Sequence, residues 1–183
     1  QTEYRQVTRN SNHVFDAGIK NDSPFIFNKS NSSESHLFSN STLKTNFEYF
    51  TDSSIEVQIQ QTSSDTYLKS YNINSPIIDS QSTLTSKINF EGFNDDVEFL
   101  ISAEVYEDLS KKNENDKFEY IYPEFDITKN INNNFEGDLT FSTNGYKKLY
   151  NTNTTEEVLT NNISYKSLDG ISSLGLVSNY EIL

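Results

Sequence analysis

The side chains that could perform acid–base or metal chemistry are few and scattered. His13 and His36 are the only histidines, and the chain has no cysteine, so it can form neither a thiolate zinc site nor a disulfide. Adjacent acids occur at Asp95-Asp96, Glu107-Asp108 and Glu156-Glu157. These pairs fall in segments typical of turns, where a carboxyl group lacks the burial that tunes a general acid. We therefore expect no enzyme activity, catalytic residue, metal or cofactor.

The composition narrows the class of protein. The 183 residues include 27 acidic and 14 basic side chains, a formal net charge of −13, whereas nucleic-acid-binding surfaces are basic. Only 33% of residues are hydrophobic, yet 13% are aromatic, and disordered chains are poor in aromatics. No apolar run reaches the ~18 residues of a membrane-spanning helix. The composition fits either a solvated all-β protein or a barrel with a wet interior.

A two-residue hydrophobic period predicts β-strands along most of the chain. The clearest examples are residues 55–60 and 97–105, where apolar side chains alternate with polar ones. We count about ten such segments. Helical periodicity does not recur, and only residues 65–70 resemble a helical turn. Pro123 interrupts one strand, and because proline lacks a backbone N–H we expect a bulge or a strand start there.

The interruptions between these segments alternate between short and long. Short turn-like stretches are predicted at residues 10–12, 50–53, 93–96, 129–134 and 169–172. Longer polar stretches are predicted at residues 22–35, 62–80, 107–117 and 146–157. This rhythm predicts a meander of antiparallel hairpins with tight turns on one rim and long loops on the other, as in outer-membrane β-barrels.

The alternation assigns each strand an apolar and a polar side. In a membrane barrel the lipid-facing candidates are Ile55, Val57, Ile59, Val97, Phe99, Ile101 and Val105. The lumen-facing candidates are Glu56, Gln58, Gln60, Lys87, Glu98 and Glu104. In a soluble sandwich the apolar set would fill a dry core instead. Aromatic residues near the predicted strand ends suit the interfacial girdles of a barrel. The periodicity by itself leaves both architectures open.

An ordered series of segments resembles one barrel family. Residues 57–71 (VQIQQTSSDTYLKSY) resemble the strand and S-D-x-x-Y-L-type loop of LptD, the lipopolysaccharide-assembly outer-membrane protein family. Residues 2–6 (TEYRQ) resemble an earlier strand of that family, and His36-Leu37-Phe38 the segment before the S-D-x-x-Y-L strand. Residues 84–93 and 97–109 are similar to its next hairpin, and residues 122–125 (YPEF) to its L-P-x-[VF] strand, with Tyr122 where leucine is usual.

The resemblance implies a fold, a function and partners. It implies that residues 1–183 are an open section of a large outer-membrane β-barrel, and we expect this section to be truncated at both ends. The function implied is insertion of lipopolysaccharide into the outer leaflet of a Gram-negative outer membrane, as part of cell-envelope biogenesis. In it this section would contribute barrel wall, lumen lining and external loops. The implied partners are lipopolysaccharide, outer-membrane lipid, an LptE-type lipoprotein plug and the periplasmic bridge proteins of lipopolysaccharide transport, with no nucleic acid.

Two other classes remain open at the level of sequence. Another outer-membrane barrel, such as a TonB-dependent transporter or a porin, has the same periodicity. A secreted β-sandwich, such as an adhesin or a carbohydrate-binding module, also alternates but turns its apolar face inward. A requirement for detergent during extraction distinguishes the sandwich from both barrels.

Overall fold

The computed structural model describes residues 1–21, 33–112, 116–131, 136–150 and 154–183. The fold is all-β with 68% of residues in strands. One short helix, α1 (Tyr67–Ser70), occurs in this part of the chain, and it lies inside the predicted helical turn. The prediction of an all-β fold is therefore confirmed, and the strand order confirms the predicted meander.

The strands of the described residues are β1 (Thr2–Val7), β2 (Ser11–Asn21), β3 (Ser33–Thr45), β4 (Asp52–Thr62), β5 (Thr83–Phe93), β6 (Val97–Asp108), β7 (Phe118–Ile131), β8 (Gly137–Tyr150), β9 (Thr155–Ser167), β10 (Gly170–Ile171), β11 (Val177–Ser178) and β12 (Glu181–Ile182). Ten of them form a single antiparallel sheet, in which β1 to β9 lie side by side in sequence order and β12 pairs with β9. Strands β10 and β11 form a separate two-stranded sheet. The large sheet is open, with β1 and β12 at its edges.

The central strands are unusually long. Strands β2 and β3 contain 11 and 13 residues, and β7 and β8 contain 14 each, whereas strands of globular proteins most often have about 5–6 residues. A strand tilted at about 45° needs roughly 9–11 residues to cross a bilayer. Strands β2 to β9 are therefore long enough to span a hydrocarbon layer, whereas β1 with 6 residues and β12 with 2 are not.

The strand around Pro123 contains the expected bulge. The ladder between β6 and β7 shifts register between Ser102 and Glu104, and the ladder between β7 and β8 shifts between Ile121 and Glu124. The Tyr122–Pro123 bond is cis. Tyr122 and Pro123 stand outside both ladders, as expected for a residue that cannot donate a ladder hydrogen bond.

Four sequence expectations about connections need correction. The turn predicted at residues 169–172 instead contains β10, which pairs with β11. The loop predicted at residues 146–157 is wrong, because β8 continues to Tyr150 and β9 begins at Thr155. The Tyr150 N–H donates a hydrogen bond to Thr154 O across this short connection. The strand predicted at residues 174–183 is instead the two short strands β11 and β12. The turn predicted at residues 129–134 begins later, because β7 extends to Ile131. Parts of the predicted connections, at residues 22–32, 113–115, 132–135 and 151–153, lie outside the described residues.

The buried apolar core is small and lies at one end of the sheet. It consists of Phe38, Tyr67, Leu68, Ile77, Leu84 and Leu109. Three of these residues come from the connection between β4 and β5. This connection, residues 63–82, folds back against the strands instead of projecting from the rim. We refer to it as the polar-face insert.

Candidate functional site

The pairing register divides the large sheet into an apolar and a polar face, because residues directly opposite each other in an antiparallel ladder point to the same side. One row runs from Leu43 through Ile55, Phe90 and Ile101 to Phe125. The seven lipid-facing candidates of the sequence analysis share the face of this row. Their contact with lipid stays a prediction.

The apolar face is exposed over most of the described strands, but at the short-turn rim the lipid-facing candidate Val97 is only 8% exposed. Ile88, Ile101 and Leu159 are 52%, 38% and 66% exposed, although a folded protein normally buries large aliphatic side chains. A cavity of about 420 Å³ indents this face beside the bulge, between Ile88, Phe90 and Tyr122. Exposed apolar surface of this extent marks an interaction or membrane-contacting surface.

Burial at β2 and β3 is the reverse of that in a soluble sheet. Phe15 and Leu37 point to the apolar face and are 39% and 48% exposed. Their neighbours Asp16, His36 and Phe38 point to the opposite face and are buried. Polar-face side chains are buried there because the polar-face insert covers them. The chain has thus placed its covering segment over the polar side and left the apolar side open.

Aromatic rings mark both ends of the apolar face. At the short-turn rim, Phe50 packs on Gly92 and its ring centroid lies 5.8 Å from that of Phe90. Phe90 in turn lies 5.8 Å from Phe99. At the long-loop rim, Phe118 and Tyr120 stack at 6.3 Å. Tyr120 pairs with Val105, six positions beyond Phe99 along β6. The two aromatic zones are therefore about 20 Å apart at about 3.4 Å per residue.

Four of the six lumen-facing candidates meet in one polar cluster. Lys87 pairs with Gln58 on β4 and with Glu104 on β6, and its Nζ lies 3.0 Å from Glu56 Oε2. Tyr106 donates a hydrogen bond to Glu104. A single lysine thus lies among two carboxylates and an amide on the polar face.

The other two candidates lie elsewhere. Glu98 stands at the short-turn rim, opposite Phe93 and Thr128. Gln60 is buried beneath the polar-face insert, where its Nε2 donates to Ile77 O at 2.8 Å and its Oε1 accepts from the Thr85 N–H at 2.8 Å. Gln60 is therefore an anchor for the insert in this structure, and its side chain does not line open space.

A buried hydrogen-bond network joins the sheet to the polar-face insert. The sequence analysis did not predict it. His36 Nε2 lies 3.3 Å from Asp16 Oδ1, and His36 Nδ1 lies 3.2 Å from Tyr67 Oη. Gln1 donates to Asp16 Oδ2 at 2.8 Å. The side chains of Asp16 and His36 have no exposed surface. The network is closed to substrates, so its chemistry is that of a structural hydrogen-bond chain.

Little in the sequence signals this network. Asp16 and His36 are 20 residues apart, and Tyr67 is a further 31 along the chain. The sequence signal is that Asp16 and His36 each occupy a polar position of the two-residue alternation, in segments predicted to be neighbouring strands. Among the described residues, no group of three or more His, Asp or Glu side chains is arranged to hold a metal ion.

Two titratable groups that hold the polar-face insert, Tyr67 and Lys117, have shifted pKa values. Burial raises the pKa of Tyr67, and the negative charges of Glu34 and Asp16 raise it further. Burial lowers the pKa of Lys117, but its hydrogen bonds to Asp65 and Glu107 outweigh burial, so the net shift is upward. The Lys117 ammonium lies 2.7 Å from both carboxylates. Both shifts favour the protonated form in the folded state.

The geometry defines an open antiparallel meander with one exposed apolar face and one polar face partly covered by its own chain. No protein-family model, curated protein or solved structure matches the sequence or this fold. Within the described ranges, no helix is long and apolar enough to cross a membrane.

Proposed function

We propose that this chain is a wall section of a large outer-membrane β-barrel of the lipopolysaccharide-assembly (LptD) type. In this role it helps to insert lipopolysaccharide into the outer leaflet of the outer membrane. The observation that carries the membrane part of the proposal is the exposed apolar face bounded by two aromatic zones, with long strands between them. A barrel wall presents such a band to lipid and a polar surface to its interior.

The energetic argument follows from the burial pattern. Full burial of an aliphatic side chain is worth about 1.5–3 kcal/mol, and Leu159 forfeits the larger part of it because it is 66% exposed. A soluble sandwich avoids that cost by covering its apolar face, whereas this fold covers the polar face at Asp16 and His36. Contact with lipid would remove the exposed apolar face from water without a second protein layer.

The lipopolysaccharide part of the proposal depends on the ordered resemblance. The resembling segments occupy β1, part of β3, β4 with the start of the polar-face insert, the β5–β6 hairpin and the bulged part of β7. In this proposal the section contributes interior lining and connections between strands. Its partners are lipopolysaccharide, a lipoprotein plug and the periplasmic bridge.

Depletion of the protein in its native host tests this function. We expect the protein in the outer-membrane fraction, soluble only with detergent, and we expect less lipopolysaccharide at the cell surface after depletion. Complementation with the wild-type gene is the control. A protein in the outer membrane whose depletion leaves surface lipopolysaccharide unchanged would retain the barrel and contradict the lipopolysaccharide role.

A second candidate is a porin or transporter barrel. The polar-face insert favours it, because the interior of several barrel classes is occupied by loops or a helix. Conductance through a planar bilayer containing the purified protein distinguishes the two. Stable open channels without any effect of depletion on lipopolysaccharide would favour the porin.

A further inference from the structure

The polar-face insert is fixed to the sheet by apolar packing. Leu68 of α1 is fully buried and packs with Phe38 of β3 and Leu84 of β5. Ile77 joins the same cluster, and Val14 of β2 packs against it. Val14 and Phe38 occupy polar-face positions, so this part of the cluster lies on the side that the proposed barrel turns toward its interior.

Hydrogen bonds secure the insert at its start, middle and end. At the start, the Ser63 N–H donates to Ser35 O at 2.9 Å and Ser63 Oγ accepts from the Ser35 N–H at 2.7 Å. In the middle, Gln1 donates to Asn74 O at 2.9 Å. At the end, the Leu109 N–H donates to Ser82 O at 2.8 Å.

Long-range bonds also reach the insert from two strands and a neighbouring connection. Tyr67 contacts His36 of β3, and Ile77 O accepts from Gln60 of β4. Asp65 pairs with Lys117, the residue before β7. A connection that only extended from the rim into solvent would not bury its own aliphatic side chains or engage so many elements. These contacts give the insert a single packed position.

We propose that residues 63–82 are a permanent inward wedge that occupies the interior of the proposed barrel beside β2–β4. The inference rests on the proposed barrel, because only a closed wall makes the polar face an interior. The wedge reduces the open interior at this position and leaves the polar faces of β6–β9 accessible. In this proposal residues 63–82 lie inside the barrel and do not form an external loop.

The absence of cysteine and tryptophan from the chain allows a direct test by thiol labelling. Single-cysteine variants Leu68→Cys and Lys69→Cys place thiols on adjacent residues of α1, the first buried and the second exposed. A bulky hydrophilic maleimide is applied to the full chain in native membranes. We expect Lys69→Cys to react at least roughly tenfold faster than Leu68→Cys, since labelling of a buried thiol requires local opening.

A second pair tests the wall itself and avoids a large change in the core. Val14→Cys lies beneath the insert on the polar face, and Asn144→Cys lies on the exposed polar face of β8. Valine and cysteine are similar in size, so this variant keeps the packing. We expect Asn144→Cys to label and Val14→Cys to be protected to a similar degree as Leu68→Cys.

The outcomes distinguish failure of the wedge proposal from failure of the proposed function. Protection of Leu68→Cys and Val14→Cys in membrane-embedded protein supports the wedge. Equal labelling rates within both pairs, in protein that remains in the outer membrane, contradict the wedge and leave the proposed function standing. Recovery of the protein in the aqueous fraction without detergent contradicts the proposed function and, with it, an interior position for the insert.

Discussion

Gly18 of β2 lies directly beneath the imidazole of His36 on β3. A Cβ built on Gly18 would come within 2.5 Å of His36 Cε1 and 3.1 Å of Nδ1. The ring also stacks on Phe38 at 4.7 Å and lies 5.6 Å from the ring of Tyr67. His36 therefore occupies a slot that exists only because residue 18 has no side chain.

The first prediction is that Gly18→Ala weakens the attachment of the polar-face insert. The added methyl group displaces the imidazole, which lengthens its hydrogen bonds to Asp16 and Tyr67. We expect a loss of about 1–3 kcal/mol, typical of overpacking at a filled site. Because the chain lacks tryptophan, Tyr71→Trp introduces a single tryptophan, which lies in the insert. Its emission is followed during urea titration with and without Gly18→Ala.

Gly170→Ala is the matched control for this experiment. Its nearest new contact is Ser178 Oγ at 3.3 Å, in the small sheet that does not include the insert. We expect the midpoint of the urea transition, followed by the same introduced tryptophan, to stay unchanged. An equal shift from both alanine substitutions would show that Gly18 has no special role beneath His36.

The second prediction compares arginine on the two faces at one depth. Ile101 and Gly145 each pair with Phe125, so Asn144 of β8 lies one residue from the row of Ile101 but points to the polar face. Ile101→Arg should cost roughly 2–4 kcal/mol, as for a charge facing lipid near mid-depth. Asn144→Arg should cost little, because it lies opposite Asp126. The measurement is the yield of folded, membrane-inserted protein, and similar yields from the two variants would contradict a lipid-facing apolar side.

The third prediction concerns the lysine among the carboxylates of the polar face. Lys87→Glu replaces the cation beside Glu56 and Glu104 with a third negative charge. We expect a loss of stability of about 1 kcal/mol or more that shrinks as salt is raised, since the Debye length falls from about 10 Å at 0.1 M to about 3 Å at 1 M.

Lys44→Glu provides the comparison for Lys87→Glu. Lys44 and Asp52 are 3.9 Å apart, and both are well exposed, so the effect should stay within about 0.5 kcal/mol. The stability of each variant is measured in urea at low and high salt. A salt-independent loss at Lys87 would point to packing and not to charge as the cause.

The fourth prediction concerns alkaline pH. The pKa of Tyr67 is raised from 10.0 and that of Lys117 from 10.5. A raised folded-state pKa means that the stabilisation is complete below these unfolded values and declines as the pH rises through the folded values. We therefore expect the insert to loosen above about pH 10, which the Tyr71→Trp variant reports as a change in tryptophan emission.

Tyr67→Phe separates the two groups in this pH experiment. The phenylalanine variant cannot ionise at position 67, so its remaining alkaline transition reports Lys117 and its partners Asp65 and Glu107. We expect a smaller change in emission than with tyrosine present. An unaltered transition would assign all of the alkaline loosening to groups other than Tyr67.

Local sequence patterns were sufficient for strands β1 to β9 and their order, but not for the short strands after β9. The two-residue period in β4 and β6 reports the pleat of the backbone, and short turns force neighbouring strands to pair. Pro123 produced its bulge for an equally local reason, the missing N–H. The loop expected at residues 146–157 failed because Tyr146, Lys147 and Lys148 are polar but continue β8. They are stabilised there by cross-strand partners such as Glu156, Glu157 and Glu119, which a local pattern does not show.

The sequence by itself determined that this protein is a meander of long, two-faced strands, because alternation and turn chemistry act over a few residues. Only the tertiary structure decided which face its own chain covers. That choice depends on Gly18 admitting His36, on Asp16 and Tyr67 meeting that ring, and on Leu68 packing with Phe38. These contacts join residues that are distant in the chain, and their stability comes from packing and buried hydrogen bonds that form only when the strands and the insert are together.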